Sequence, residues 1–361
     1  MAYLLTFILF LLLPIVLDYS NNPYWISIGV NYLIWIILGL AMNIALGYAG
    51  LFQLGQAGFY AVGAYVVAIL NVKIFTFVIY GITFKIGGYS FFPSLLIALV
   101  ISCIVGYLFS RPILRLRGDY LCIATIGLGE IIRYILTNDL INAPPGDYAP
   151  PMKILGTGKS LLIILDNPVG GLTGGPNGIS GIARPEILGF TFDTPFKYYY
   201  LVMFFVLLVL FVMKRLENSR LGRAWTYIRE DETAAQSMGV DIVHYKLLAF
   251  IISAGIAGIA GGLYAGRYTV ISPAPDVFGF GASVLMFCIV VLGGIGSIPG
   301  VLVGSLGLVL LPEIFRSFPE ARYLFVGIAM LLMMIFRPHG LIPGNMLSFN
   351  KKYCDACSSN T

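Results

Sequence analysis

Long apolar stretches recur along the whole chain and are separated by shorter segments rich in charge, glycine or proline. A helix that crosses a bilayer needs about 20 mostly apolar residues, and these stretches are of that order. They cover residues 4–17, 25–46, 59–70, 94–109, 120–136, 198–213, 247–266, 284–311 and 324–336, with a further stretch at 74–84. The pattern predicts an all-α polytopic integral membrane protein with roughly nine or ten helical segments, some of them broken or re-entrant.

Two glycine-rich interruptions fall within the apolar regions. The first interruption is GYAGLFQLGQAG (residues 47–58), and the second is GGIGSIPG (residues 293–300), inside a run that is too long for one span. Two shorter helices that meet at a break are therefore predicted for this run. Non-helical backbone survives at membrane depth only when it is buried in protein or lines a watery cavity. Because paired breaks are typical of transport pathways, Gly293, Gly294 and Gly296 are candidates for the pathway.

The stretch at 247–266 carries small residues on one helical face. Ala254, Gly258, Gly262 and Gly266 recur at every fourth position, and Ala257, Gly261 and Ala265 form the adjacent row. Small residues let two helix backbones approach closely in a membrane, where no hydrophobic effect drives helix association. The stripe predicts tight helix packing in preference to direct ligand contact.

Composition narrows the class of protein. Hydrophobic residues make up 58% of the 361 residues and charged residues only 11%, whereas a soluble domain carries about 25% charged residues. This composition excludes a soluble enzyme, a nucleic-acid-binding protein and a disordered chain. It also predicts that membrane lipids surround the protein. No Lys or Arg precedes the stretch at 4–17 and no small-residue cleavage site follows it, which favours an uncleaved first span over a signal peptide.

Basic residues orient the spans, since Lys and Arg accumulate in cytoplasmic loops. They cluster in the short loop that follows residue 110, in the loop 214–246 and in the tail 337–361, and these regions are predicted to be cytoplasmic. The segment 138–197 has mixed charge and many Gly and Pro residues, and is predicted to be external. No part resembles a soluble domain, so residues 1–361 are interpreted as a single transmembrane domain.

Few residues are suited to enzymatic chemistry. The only histidines, His244 and His339, lie outside the predicted spans, and the paired Asp or metal-ligand clusters that an intramembrane enzyme needs are missing. KILGTGKS (residues 153–160) resembles a phosphate-binding loop but has Lys153 where that motif requires glycine. We therefore predict no nucleotide-hydrolysing site, no metal and no cofactor in this chain.

Glu130 and Arg133 form the clearest ionisable pair near a span. At a spacing of three residues they share a helix face and can pair. One interpretation is a gate or polar patch on the pathway, because ionisable groups inside a membrane are costly and mark function. The other, which the nearby Asn138 and Asp139 favour, is a pair near the outward end that reaches the interface.

The loop 214–246 contains the sequence REDETAAQSMG, residues 229–239. Asp231 or Glu232 would be stabilised at the N-terminus of a short helix, and Gly239 suits its C-terminal end. The residues assigned to this segment are Arg229, Glu230, Asp231, Glu232, Ala234, Ala235 and Gly239. A small exposed helix of this kind either enters a cleft of another protein or is a solvated loop helix, and the residues alone leave both open.

Four blocks carry a resemblance to a known family. They are GYAGLFQLGQAGFYAVGAY (47–65), RLRGDYLCIATIGLGEIIR (115–133), TGGPNGISGI (173–182) and SRLGRAWTYIREDETAAQSMGVDIVHYKLLAF (219–250). ISP at 271–273 and VVLGGIGSIPGVLVG at 290–304 extend the match. In these blocks, which occur in family order over most of the chain, the sequence resembles the permease subunits of branched-chain amino-acid ABC importers, of the LivM type.

The resemblance implies a passive translocation pathway in a bacterial cytoplasmic membrane, powered by two cytosolic ATPase subunits. A second permease subunit of the LivH type and an external solute-binding protein complete such importers. Residues 229–239 then correspond to the segment that couples the pathway to the ATPases, although Thr233 stands where the general importer pattern has Glu. The solute stays open: related permeases serve leucine, isoleucine and valine, but also urea and short amides, and TGGPNGISGI favours the amino-acid branch.

The main alternative is a secondary transporter driven by an ion gradient, which broken apolar runs fit equally well. Such a protein usually has acidic residues inside its spans, and Glu130 is the sole candidate in this sequence. A secondary transporter would also leave the long charged loop 214–246 unexplained.

Overall fold

The structure, a computed structural model, describes residues 23–79, 82–116, 118–139, 152–157, 161–165, 171–187 and 190–314, together with residues 324, 327–328, 331, 335–337 and 340–342. The predicted stretch at 4–17 lies outside these residues, as does most of the stretch at 324–336. Most of the tail 337–361 also lies outside them.

Helices account for most of the described chain. The α-helices are α1 (Pro23–Met42), α2 (Gln56–Val72), α3 (Phe91–Ile113), α4 (Asp119–Thr137), α5 (Pro195–Glu217), α6 (Arg220–Glu230), α7 (Glu232–Ser237), α8 (Ile242–Tyr268), α9 (Pro275–Phe278), α10 (Phe280–Gly293) and α11 (Ile298–Ile314). A π-helix (Asn43–Tyr48) continues α1 directly, and a 3-10 turn covers Gly175–Asn177.

Six helical segments of the described chain are long and apolar enough to cross a membrane. They are Tyr24–Tyr48, Phe91–Ile113, Tyr120–Thr137, Pro195–Glu217, Ile242–Tyr268 and Pro275–Gly293, and two shorter apolar helices cover Gln56–Val72 and Ile298–Val309. The predicted class, an all-α polytopic membrane protein with broken segments, is confirmed.

One apolar stretch is not a helix. The stretch at 74–84 is counted among the predicted helical segments, but its described residues, 74–79 and 82–84, lie in two paired antiparallel strands, which corrects that prediction. The strands of the described chain are β1 (Ile74–Ile79), β2 (Ile82–Gly87), β3 (Met152–Thr157), β4 (Leu161–Leu165), β5 (Ile179–Ser180), β6 (Glu186–Ile187), β7 (Phe190–Thr191) and β8 (Val270–Ile271). The first four form an antiparallel sheet in the order β2-β1-β4-β3. A short run of Ile, Phe, Val and Thr favours a strand, and periodicity alone does not separate it from a buried helix.

The glycine stripe of α8 packs tightly against α2 and α3, as predicted. A Cβ atom on Gly63 of α2 would lie 2.1 Å from the carbonyl oxygen of Gly258, and one on Gly261 would lie 2.0 Å from that of Tyr60. On the α3 side, a Cβ atom on Gly258 would lie 2.2 Å from the Ser102 hydroxyl. The backbones of α2 and α8 therefore touch without intervening side chains, whereas α3 contacts α8 through the small Ser102 side chain, so α8 packs closely on both helices.

The second interruption separates two antiparallel helices, as the length of the apolar run predicts. α10 ends at Gly293 and α11 begins at Ile298. Gly294 and Gly296 adopt positive φ angles of 118° and 83°, which other residues rarely adopt. A Cβ atom on Gly293 would lie 2.2 Å from the carbonyl oxygen of Gly300, so the two helix ends cross in backbone contact.

Candidate functional site

The first interruption is lined by buried polar side chains from several helices. Gln53 and Gln56 are fully buried, and the amide nitrogen of Gln53 donates to the side-chain oxygen of Gln56 over 2.9 Å. Gln56 in turn donates to the carbonyl oxygen of Ser253 over 3.1 Å, and the Ser253 hydroxyl donates to the carbonyl oxygen of Ala41 over 2.7 Å. This network joins the start of α2 to α8 and α1 inside the bundle.

Two other helices accept backbone N–H groups at the start of α2 and just before it. The backbone N–H of Leu54 donates to the Thr125 hydroxyl of α4 over 3.1 Å. The backbone N–H of Ala57 donates to the Ser283 hydroxyl of α10 over 3.0 Å. Because Thr125 and Ser283 are themselves buried, the helix begins within protein and not at a water-exposed end.

The two interruptions contact each other through one asparagine. The side-chain oxygen of Asn43, in the π-helix, accepts a hydrogen bond of 2.9 Å from the backbone N–H of Gly296. A Cβ atom on Gly47 would lie 2.0 Å from that same oxygen and 2.7 Å from the Gly296 nitrogen. Gly293, Gly294 and Gly296, predicted from spacing alone, therefore lie beside the first interruption.

A short part of the tail also reaches the second interruption. The backbone N–H groups of Leu341 and Ile342 donate to the carbonyl oxygens of Leu292 and Gly293 over 2.9 and 3.0 Å. These carbonyls lie at the C-terminal end of α10, where a helix leaves its last oxygens without intrahelical partners. The tail backbone therefore caps α10.

Sequence reasoning did not single out Asn43, Gln53 or Gln56. Asn43 is a polar residue inside a long apolar run, four residues before the first glycine of the interruption. That placement is a usable signal, because a buried polar side chain in a span requires a partner. The two glutamines lie within the first glycine-rich interruption, where polar residues are typical of an ordinary loop.

Glu130 and Arg133 form the predicted ion pair, with 2.7 Å between Oε2 and Nε. Their side chains are 36% and 18% exposed. The second carboxylate oxygen of Glu130 accepts the backbone N–H of Phe280, at the start of α10, over 2.9 Å. A carboxylate at a helix N-terminus is favoured by the free N–H groups and by the helix dipole. The pair thus ties α4 to α10, and its role as a gate stays a prediction.

Removal of the Glu130 carboxylate is expected to destabilise this junction. Glu130→Ala leaves Arg133 without its ion-pair partner and takes the acceptor from the Phe280 N–H, which we expect to cost about 1–2 kcal/mol of folding free energy. Glu130→Gln keeps an oxygen for the N–H and serves as the matched control with a smaller loss. Thermal unfolding of the detergent-purified protein measures both, and a Glu130→Ala protein as stable as wild type would contradict the assignment.

The loop 214–246 folds into two short helices that lead into α8. Asp231 caps α7, since one of its carboxylate oxygens accepts the backbone N–H groups of Thr233 and Ala234 over 2.8 and 3.1 Å. The Thr233 hydroxyl also donates to this oxygen over 2.6 Å, and together these bonds lower the pKa of the Asp231 carboxyl. Of the two acidic residues considered for the helix N-terminus, Asp231 is therefore the cap. Gly239 follows the helix with a φ of 82°.

The exposure of this segment differs from residue to residue. Ala235 is 3% exposed and faces the protein, whereas Arg229, Glu230, Glu232 and Ala234 are exposed. Met238, at the end of α7, is 85% exposed.

Three contacts hold the loop 214–246 to the bundle. The indole nitrogen of Trp225, a fully buried residue of α6, donates to the carbonyl oxygen of Tyr245 over 2.8 Å. Glu232 forms an ion pair with Lys246, near the start of α8. Arg229 donates through Nη1 to the carbonyl oxygen of Gly47 over 2.6 Å. The last contact joins the loop directly to the first interruption.

The block TGGPNGISGI lies at the far ends of α4 and α8. Asp139, just after α4, accepts the backbone N–H groups of Leu172 and Thr173 over 3.0 and 2.9 Å. β5 of the block pairs with β8, which follows α8. These contacts dock the block onto the helix ends.

No cluster of three or more His, Cys, Asp or Glu side chains suited to a metal ion occurs within the described residues.

Comparison with known proteins identifies the family. Residues 25–335 match the family described as branched-chain amino acid transport system / permease component. The high-affinity branched-chain amino acid permease proteins LivM of Salmonella typhimurium and Escherichia coli are 38% and 37% identical over 341 residues, which is 88% of this chain and 70% of each relative. The LivH permease protein of Escherichia coli is 34% identical over 145 residues, 40% of this chain and 46% of that protein.

No solved structure matches the chain. The matched relatives are permease components of transporters and not enzymes. The match covers most of the chain and includes both interruptions and the loop 214–246. We conclude that this protein belongs to the branched-chain amino-acid ABC transporter permease family and is a multi-pass protein of the inner membrane.

Proposed function

We propose that this chain, as a single permease domain over residues 1–361, forms part of the membrane pathway of an ATP-driven importer for leucine, isoleucine and valine. The relatives with 37–38% identity are named as high-affinity branched-chain amino acid permeases, which supports this choice of solute over urea or short amides. Import is the direction that this type of permease serves.

The loop 214–246 is the coupling element in this proposal, and its residues 229–239 contact the ATPase subunits. The exposed end of α7 supports this role, because it offers Met238 on a short helix with both ends capped. The observation that carries the proposal is the hydrogen bond from Arg229 to the carbonyl oxygen of Gly47. Through it, a movement imposed on the loop acts directly on a break in a membrane helix.

The pathway runs beside the two interruptions in this proposal. Gly293, Gly294 and Gly296 line it, since they form the break between two apolar helices and lie next to the buried polar side chains of the first interruption. Glu130 and Arg133 act as a polar gate beside the start of α10, which Glu130 contacts. A charged pair on a spanning helix is costly, and function is the usual reason for keeping it.

The proposed complex contains this chain, a second permease of the LivH type, two cytosolic ATPase subunits and an external solute-binding protein. The 34% identity to LivH supports a pair of related permeases. The segment 138–197 would face the binding protein, and the tail 337–361 would be cytoplasmic. The basic residues of the loop 214–246 support this orientation.

Extraction of the protein in mild detergent from native membranes tests the assembly. Mass spectrometry of the purified sample is expected to find a P-loop ATPase and a second polytopic subunit in complex with this chain. If the chain is recovered alone or as a homo-oligomer, after controls for dissociation, an importer of this kind is contradicted and gradient-driven transport becomes the better explanation.

Uptake into proteoliposomes tests the energy source and the solute. The purified complex with its binding protein is expected to accumulate labelled leucine, isoleucine and valine only when ATP is supplied, and urea or acetamide far less. Accumulation by this chain alone, driven by a proton or sodium gradient without ATP, would contradict the proposal.

A further inference from the structure

A continuous line of contacts joins the cytoplasmic loop to the second interruption. It begins at Arg229 of α6, passes through Gly47 and Asn43 of the π-helix, and ends at Gly296. Asn43 belongs to neither interruption and to no part of the loop, yet it is the one side chain in this line between the two breaks. We propose that Asn43 is a positioning residue that transmits movement of the loop 214–246 to the second interruption, an inference that rests on the function proposed above.

The first step of the line is a short charged hydrogen bond. The guanidinium of Arg229 donates to the carbonyl oxygen of Gly47 over 2.6 Å. Gly50 leaves room for the rest of the arginine, since a Cβ atom there would lie 3.1 Å from Cγ of Arg229. Hydrogen bonds from a charged donor are stronger than those between neutral groups. Arg229 therefore cannot move far without either moving the π-helix or losing this bond.

The second step crosses one turn of the π-helix, from Gly47 to Asn43. All six residues of this helix are buried, so water cannot replace a lost contact there. Because Gly47 has no side chain, the Asn43 oxygen and the Gly296 nitrogen pack directly against its backbone. Such turns are rare and occur frequently at functional sites, because their wider backbone departs from the regular α-helix.

The third step is the hydrogen bond between the breaks. Asn43 is 0% exposed, and its oxygen accepts the N–H of Gly296 over 2.9 Å. Its amide nitrogen is buried and has no partner among the described residues, so the bond to Gly296 orients this side chain. Gly296 lies between Gly294 and the start of α11 in a glycine-rich turn with positive φ angles. That turn can change conformation without strain in its side chains, whereas the packed helices on either side cannot.

A purely structural role for Asn43 would predict a different outcome on mutation. A stabilising hydrogen bond affects how much protein folds, and it changes uptake and ATP hydrolysis together. A transmitting bond instead affects how much solute moves for each ATP hydrolysed. The ratio of solute imported to ATP hydrolysed is therefore the readout that separates the two roles.

The experiment uses the whole complex, with both permeases, both ATPases and the binding protein, in proteoliposomes. Asn43→Leu keeps the branched shape of the side chain but removes the acceptor, and Arg229→Gln removes the charged donor. We expect each to lower leucine imported per ATP by at least about fivefold, the lower end of couplings between linked sites. Asn71→Leu is the matched control, because Asn71 is also an asparagine bonded between two helices, through Val67 and Ser94, but lies outside the line.

The double variant provides the decisive comparison. If Arg229 and Asn43 act in one line, the double variant imports no less leucine per ATP than the worse single variant, since the line is already broken. Independent defects would multiply and would overturn the inference. Asn43→Ser, whose hydroxyl is too short to replace the amide, gives the same test with a smaller side chain if Asn43→Leu assembles poorly.

The remaining outcomes are also decisive. An unchanged ratio in both Asn43 variants overturns the inference while leaving the proposed importer intact. A fall in the ratio of the same size in Asn71→Leu also overturns it, because the effect would then be general to asparagines that bond one helix to another. Absence of ATP-driven uptake by the wild-type complex contradicts the proposed function itself, and the inference with it.

Discussion

Replacement of Gly63 by alanine is expected to be severely destabilising, although it adds a single methyl group. The new Cβ atom would lie 2.1 Å from the carbonyl oxygen and 2.4 Å from Cα of Gly258. Both atoms belong to the backbone of α8, so no side chain can rotate away. The helices must separate, and overpacking of this kind costs about 1–3 kcal/mol or more, a large part of the 5–15 kcal/mol that holds a typical domain together.

Gly127→Ala is the matched control for Gly63→Ala. Gly127 is also within a spanning helix, but it is exposed and nothing lies within 4 Å of an added Cβ atom. There the usual preference of a helix for alanine over glycine applies and favours the variant by about 0.5–1 kcal/mol. Thermal unfolding in detergent is followed by size-exclusion chromatography. The unfolding midpoint should be lower than that of wild type for Gly63→Ala, and equal or higher for Gly127→Ala. Equal shifts would mean that the α2–α8 crossing is looser than described.

Replacement of Gly239 by valine is expected to abolish most transport while leaving the membrane bundle intact. Gly239 has a φ of 82°, and a side chain there would meet nothing within 4 Å, so the penalty arises in the backbone alone. A left-handed conformation costs a non-glycine residue roughly 1–2 kcal/mol, and a β-branched residue is the least tolerant of it. α7 has six residues and cannot bear this strain, since so short a helix has little stability of its own.

The expected result for Gly239→Val is uptake reduced by about tenfold, since about 1.4 kcal/mol changes an equilibrium by that factor. Gly239→Asn is the control at the same position, because asparagine tolerates the left-handed conformation and should retain most uptake. Both variants should reach the membrane in normal amounts. ATP-driven leucine uptake in proteoliposomes measures the effect, and wild-type uptake by Gly239→Val would contradict the coupling role of this segment.

Local pattern accounts for much of the architecture. The apolar runs predict most of the spanning helices, since a membrane imposes both the length and the composition of a helix that crosses it. The over-long run at 284–311 predicts the break between α10 and α11. The small-residue stripe predicts the tight crossing of α8, because helices pack closely in lipid only where their side chains are small.

Local pattern is weaker where two structures suit the same residues. The stretch at 74–84 is apolar but short, and its residue types fit a strand as well as a buried helix. The pairing of β1 with both β2 and β4 makes it a strand, and β4 lies far away in the chain. At the start of α7, Asp231 and Glu232 are adjacent and both are candidates for the helix N-terminus. The backbone conformation decides between them, because it places the Asp231 carboxylate against the first free N–H groups of the helix.

The sequence by itself determined the class of protein, most of its spans, the two interruptions and the family to which it belongs. Only the tertiary structure decided which parts of the site meet. Asn43 and Gly296 are 253 positions apart, and Gly47 and Arg229 are 182 positions apart. Helix and strand patterns report contacts within a few residues, whereas these contacts depend on how whole helices cross. The line from the cytoplasmic loop to the second interruption is therefore a property of the packed bundle.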